Sequence, residues 1–163
     1  MISIFYTILF ILLLFAAVAD IRARIIPNRY PAAIGLLFLL AAALGTVEGW
    51  PWHLLVFAAS FAICIGLFAA GLLGGGDAKL LPAVALWAGP DLLPAFLLVT
   101  AAAGGVIALT ILIMHRLELP APTTAAPTVP YGVAIAAGGA AVVVQPLLNA
   151  FSPDWSVVSA SGV

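Results

Sequence analysis

Two aspartates in this chain stand where a carboxylate is costly. Asp77 follows three consecutive glycines, Gly74, Gly75 and Gly76, and precedes Ala78, Lys79 and Leu80, between two strongly apolar segments. Asp20 closes another apolar segment near the N-terminus. Ionisable groups at a membrane boundary are expensive, so each is a candidate functional residue. Like charges a few ångströms apart cannot both ionise easily, so a pair of carboxylates holds a single proton. The ionised member draws a proton from water as that water attacks a carbonyl. The protonated member donates to the carbonyl oxygen and later helps an amine leave. Missing Cβ atoms at Gly74 to Gly76 would let an extended substrate approach the backbone and let that segment take positive φ. Each aspartate also has an ordinary reading. Asp20 can be a helix-end residue paired with Arg22 or Arg24, and Asp77 can be the N-cap of the helix it opens. Their joint position beside three glycines favours function over that pair of coincidences.

Elements must exist to bring the two together, and composition says of what kind. Of 163 residues, 66% are hydrophobic and only 7% charged, with a mean hydropathy of +1.31. A soluble domain could not cover such a surface with polar groups, so the solvent is lipid and the bilayer is the first partner. No basic patch marks a nucleic-acid partner. Apolar runs measured against the roughly 20 residues that cross a bilayer give six candidate spans, approximately Ile2–Ala19, Tyr30–Val47, Leu54–Leu73, Leu80–Gly89, Leu92–Met114 and Tyr131–Ala150. The expected fold is all-α, a polytopic six-transmembrane-helix bundle forming one domain over residues 1–163. The fourth span is short and must borrow residues from both flanks, with Lys79 snorkelling to the interface. Pro27 and Asn28 break the first connection, Glu48 to Trp52 the second, and Gly89-Pro90-Asp91 reads as a turn. Pro120 to Pro130 reads as an extended loop. Ala17-Val18-Ala19 resembles a signal-peptidase site, but the basic residues follow the apolar run, so the first span is expected to be retained.

With six crossings, Arg22, Arg24, Arg29, Lys79 and Arg116 all fall on one side, which the positive-inside rule makes cytoplasmic. Glu48, Asp91 and Asp154 fall on the other, and both termini are external. Two crossings separate Asp20 from Asp77, so they share a face whichever way the chain is inserted. Other groups offer less. Cys64 is the single cysteine and reads as a small apolar residue inside a helix. His53 and His115 fall on opposite sides and read as interfacial, so no metal site and no cofactor are expected. Gln145 is expected to hydrogen-bond between helices, and Gly138 and Gly139 to serve close packing. Lys79 is either a snorkelling flank or a charge partner of Asp77.

The run Gly74-Gly75-Gly76-Asp77-Ala78-Lys79-Leu80-Leu81, continuing to Trp87-Ala88-Gly89, resembles the G-x-G-D signature of type IV prepilin peptidases. Asp20-Ile21-Arg22 with Ile26-Pro27-Asn28 resembles the first-aspartate motif of that family, and Val129-Pro130-Tyr131-Gly132 its C-terminal P-Y-G segment. Three motifs in order, from Asp20 to Ala134, cover most of the chain. The resemblance implies a membrane aspartyl endopeptidase of a bacterial or archaeal cytoplasmic membrane, cutting the basic leader from pilin or pseudopilin precursors at the cytoplasmic face. Asp20 and Asp77 would be catalytic, with Gly74, Gly75, Gly76, Lys79, Pro27 and Asn28 supporting them. Longer members carry a cytoplasmic methyltransferase domain, often with paired cysteines. Here the first connection is short and one cysteine is present, so methylation is expected to be absent. The compact form looks most like peptidases of tight-adherence (Flp) pili, while archaeal preflagellin peptidases share the motifs. Two other classes compete. A lipoprotein-type aspartyl signal peptidase would need its aspartates at the external face, and a non-enzymatic transporter or pilus-assembly module would place them near the bilayer midplane.

Overall fold

The computed structural model describes residues 2–117 and 130–151, and among these all regular structure is helical. Five helices follow one another: α1 (Ile2–Ala23), α2 (Arg29–Ala43), α3 (Trp50–Ala69), α4 (Asp77–Arg116) and α5 (Tyr131–Phe151). Among the described residues, α1, α3 and α4 are long and apolar enough to cross a membrane, and α2 and part of α5 are shorter apolar helices. The chain is a membrane protein. The proline-rich stretch up to residue 129, and Asp154, lie outside the described residues.

The first half of α4 is the centre of the molecule. Between Ala78 and Gly89 nearly every residue is buried, including Leu80, Val84, Leu86 and Trp87. A segment wrapped by protein on all sides faces no lipid, so it needs neither the length nor the uniform apolarity of a lipid-facing span. That is why it reads as the weakest candidate in the sequence. Helices α2, α3 and α5 each pack against α4, and α1 packs against α2 and α5. Helix α3 is peripheral, with Cys64 its one fully buried residue, as expected for that cysteine.

Gly89-Pro90-Asp91 divides α4 into two helical segments, where the glycine–proline signal places a break. The two segments meet at a kink with no loop between them, and only Gly89 departs from helical geometry, at φ 59° and ψ −172°. This backbone region is essentially confined to glycine. The break orphans a carbonyl: Leu86 O would be bonded by the amide four residues on, but that residue is Pro90, which has no N–H. His53 of α3 supplies the missing donor, its Nδ1 lying 2.8 Å from Leu86 O. A carbonyl only accepts, so Nδ1 carries the hydrogen. The ring also packs on Phe38, which meets Trp87 edge-on, and Trp87 Nε1 donates to Ile34 O of α2 at 3.1 Å. His53 is thus a structural joint rather than a plain interfacial residue.

In lipid, helix association depends on close packing rather than on the exclusion of water. The glycines of α5 serve that purpose. A Cβ at Gly139 would lie 2.6 Å from Leu13 Cδ1 and 3.1 Å from Val84 Cγ1, and one at Gly138 would overlap the Thr100 hydroxyl. Gln145 is exposed and makes no interhelical bond among the described residues, because its face of α5 points away from the bundle.

Candidate active site

Asp20 reaches the interior because it ends a stripe. Phe5, Leu9, Leu13 and Ala16 recur at helical spacing along the buried face of α1, and Asp20 is the next position on that face. It is 6% exposed. Its Oδ2 accepts the backbone N–H of Gly132 at 2.8 Å. Gly132 is the second residue of α5, where amides lack an intrahelical acceptor. Just past Asp20 the helix is stopped by Arg24, whose N–H donates to Asp20 O at 2.9 Å with φ at +52°. Glycine usually takes that left-handed place, and an arginine there costs about 1 kcal/mol. The turn throws Ile25 outward and Ile26 inward, and it leaves the Arg24 charge near Asp20.

Asp77 is the first residue of α4, behind Gly76 at the N-cap, and no side chain caps this helix. The N-cap reading of Asp77 is therefore incorrect. Its Oδ2 folds back over Gly74, 2.8 Å from where a Cβ would be. Its Oδ1 is buried and has no hydrogen-bond partner among the described residues. The Asp20 charge acts on Asp77, so two residues far apart in sequence lie at the same end of the bundle.

The glycine run does something different from what its composition suggests. None of Gly74, Gly75 and Gly76 has positive φ; the positive values belong to Gly45, Gly49, Gly71 and Gly89. Their missing Cβ atoms instead admit specific neighbours. A Cβ at Gly75 would lie 3.2 Å from Phe68 Cε2, and one at Gly76 would lie 3.0 Å from Ile26 Cβ. Ile26 reaches on to α5, where its Cδ1 is 2.9 Å from the Cβ position of Gly132. One isoleucine therefore wedges between the segment bearing Asp77 and the amide that holds Asp20.

Lys79 and Asn28 are joined, Nζ to Oδ1 at 3.0 Å. Asn28 occupies the N-cap of α2 but makes no capping bond, so a side chain suited to capping is turned to the lysine. Pro27 precedes the N-cap of the same helix, its carbonyl accepting from Tyr30 N–H at 3.1 Å. Beside this pair a cavity of about 620 Å³ opens between α2, α3 and α4, polar at Asn28 and Lys79 and otherwise lined by residues such as Leu36, Leu39, Phe57 and Leu86. Among the described residues no cluster of three or more His, Cys, Asp or Glu could hold a metal ion. Ile26 and the Gly132 amide were missed as site residues. Both lie inside motif segments, but an apolar side chain and a backbone N–H carry no signature of chemistry in a sequence.

Comparison with known proteins bears on this arrangement. A family profile described as the type IV leader peptidase family matches residues 7–109. Over 89 residues the chain is 35% identical to prepilin peptidase EppA of Methanocaldococcus jannaschii, covering 52% of this chain and 24% of that protein. The chain thus spans about a quarter of the length of that relative. No solved structure matches it.

Proposed function

The chain belongs to the type IV leader peptidase family, and on that footing we propose that it is a membrane-embedded aspartyl endopeptidase that removes the leader from prepilins or pseudopilins. Asp20 and Asp77 form the catalytic pair. One observation carries the reading: Ile26 touches both Gly76, next to Asp77, and Gly132, whose N–H holds Asp20, so the carboxylates of two separate motifs lie at one end of a helical bundle. The pair holds one proton, polarises a water between its members and returns a proton to the departing amine. Gly74, Gly75 and Gly76 keep the backbone before Asp77 bare. Pro27, Asn28 and Lys79 hold the α2 start against the α4 start.

In this reading the chain makes six crossings, counting residues 77–88 and 90–116 of α4 separately. The carboxylate pair lies at the cytoplasmic face, where Arg22, Arg24, Arg29 and Lys79 also gather. The precursor's leader stays in the cytosol while its apolar helix lies in the bilayer along the cavity between α2 and α3. The substrate is of the tight-adherence (Flp) type, and the new terminus is left unmethylated.

The test is to incubate the purified protein with synthetic Flp-type and other prepilins and to map new termini by mass spectrometry. One cut at the leader junction, with no added methyl mass and unchanged by exhaustive chelation, is expected. Intact precursors, or activity lost to a chelator and restored by a divalent ion, would count against the proposal.

A further inference from the structure

Two carboxylates that share a proton need not be equivalent, and here their surroundings differ sharply. Asp20 Oδ2 accepts a backbone N–H at the start of a helix, where the aligned peptide dipoles favour an anion. Arg24 adds a positive charge nearby. Asp77 also stands at a helix start, the first residue of α4, but it lacks a donor: its Oδ1 is buried with no hydrogen-bond partner among the described residues, and Lys79, on the same helix, is bonded to Asn28. The charged groups acting on Asp20 are Arg24 and, from α4, Asp77, while α5 contributes a backbone amide.

We propose that Gly132 is a positioning residue of the carboxylate pair, its N–H holding Asp20 Oδ2 as an ionised acceptor so that Asp20 is the base and Asp77 carries the shared proton. This rests on the reading of the site as an aspartyl pair. The proton path follows. Water gives a proton to Asp20 Oδ1 as its oxygen bonds to the substrate carbonyl carbon, and Asp77 gives its proton to the carbonyl oxygen. When the C–N bond breaks, the amine takes up the proton held on Asp20 and a hydroxyl of the gem-diol returns its proton to Asp77, which leaves a carboxylic acid and restores the starting pair. A hydrogen bond to a charged acceptor is roughly twice as strong as a neutral one, so the amide acts on the ionisation of Asp20 and not only on its orientation. Glycine is required at 132 for space. A Cβ there would lie 2.9 Å from Asp20 Oδ2, 3.0 Å from Asp20 Cβ and 2.9 Å from Ile26 Cδ1.

A backbone ester replaces the N–H by an oxygen and weakens the preceding carbonyl as an acceptor, a second effect that an ester at the neighbouring residue shares. Replacing Gly132 by its α-hydroxy counterpart in the full-length protein should lower kcat/KM for a synthetic prepilin roughly tenfold or more at neutral pH. It should also move the acid limb of the pH–rate profile to higher pH with KM little changed. The same ester at Val133, whose N–H bonds Pro130 O, should leave the profile in place. Gly132→Ala keeps the N–H but crowds Asp20, and should lower kcat more than KM. An infrared titration gives a readout without turnover: in an Asp77→Asn background, the Asp20 carboxylate band should appear at higher pH when position 132 is an ester. An unmoved acid limb, or an unmoved infrared midpoint, overturns the proposal even if the protein cleaves prepilins. A moved midpoint in a protein that cleaves no prepilin supports the role of Gly132 and sinks the substrate reading instead.

Discussion

At the scale of single residues, the chemistry rests on two carboxylates with different neighbours, so their substitutions should fail differently from ordinary acidic ones. Asp20→Asn and Asp77→Asn each remove one half of a proton cycle, and each should lower prepilin cleavage by at least about a thousandfold. The helical circular dichroism of both variants should be unchanged. Asp91→Asn, at an exposed position, should stay within about twofold of the unaltered protein, as a surface change does. Because the rate needs one ionised and one protonated member, kcat/KM should rise and then fall with pH, and both limbs belong to the pair rather than to either residue. Gly76→Val probes the wedge. It pushes on Ile26 at a 3.0 Å contact, and Ile26 touches both motif segments, so turnover should fall far more than the thermal midpoint in detergent. A variant that melted early and kept its activity would show that the wedge serves stability alone.

At the scale of elements, what the sequence revealed and what it hid have separate physical causes. Spans were readable because apolar runs and their breaks are one-dimensional signals, and α1, α3 and the second half of α4 sit near where those runs place them. Which face of each helix points inward was not readable. Lipid is as apolar as a core, so helices such as α1 carry apolar residues all round, and the stripe ending in Asp20 leaves no amphipathic period to find. The break at Gly89 was readable from its glycine and proline, but the histidine that caps the freed carbonyl was hidden because it lies on another element. That joint makes a prediction. Gly89→Ala would put a side chain into a backbone region costing about 1–3 kcal/mol and bring its Cβ against the His53 ring, with Nε2 at 2.6 Å. It should lower the melting temperature in detergent more than His53→Ala, which leaves Leu86 O unpaired at about 1–3 kcal/mol. The reverse order would mean that the histidine, not the glycine, sets the break.

At the scale of the whole molecule, the decisive question is which surface of the membrane the carboxylate pair meets. The centre of the fold, residues 78–89, joins two ends of unlike character. Arg24, Asn28 and Lys79 gather with Asp20 and Asp77 at one end, and His53 meets Leu86 and Gly89 toward the other. If the chain crosses six times with its basic end in the cytosol, then Leu72, in the connection before Gly74, and Glu48, in the connection before α3, emerge on opposite faces. Both are exposed and suit a label, whereas Ala78, close to the site, is buried and would report burial rather than sidedness. With Cys64 changed to Ala, Leu72→Cys should react with a membrane-impermeant maleimide only after the cytoplasmic side is opened. Glu48→Cys should react in intact cells. Labelling of both from the same side would refute the six crossings and the cytoplasmic site together, because one odd crossing between residues 48 and 72 is all that separates them.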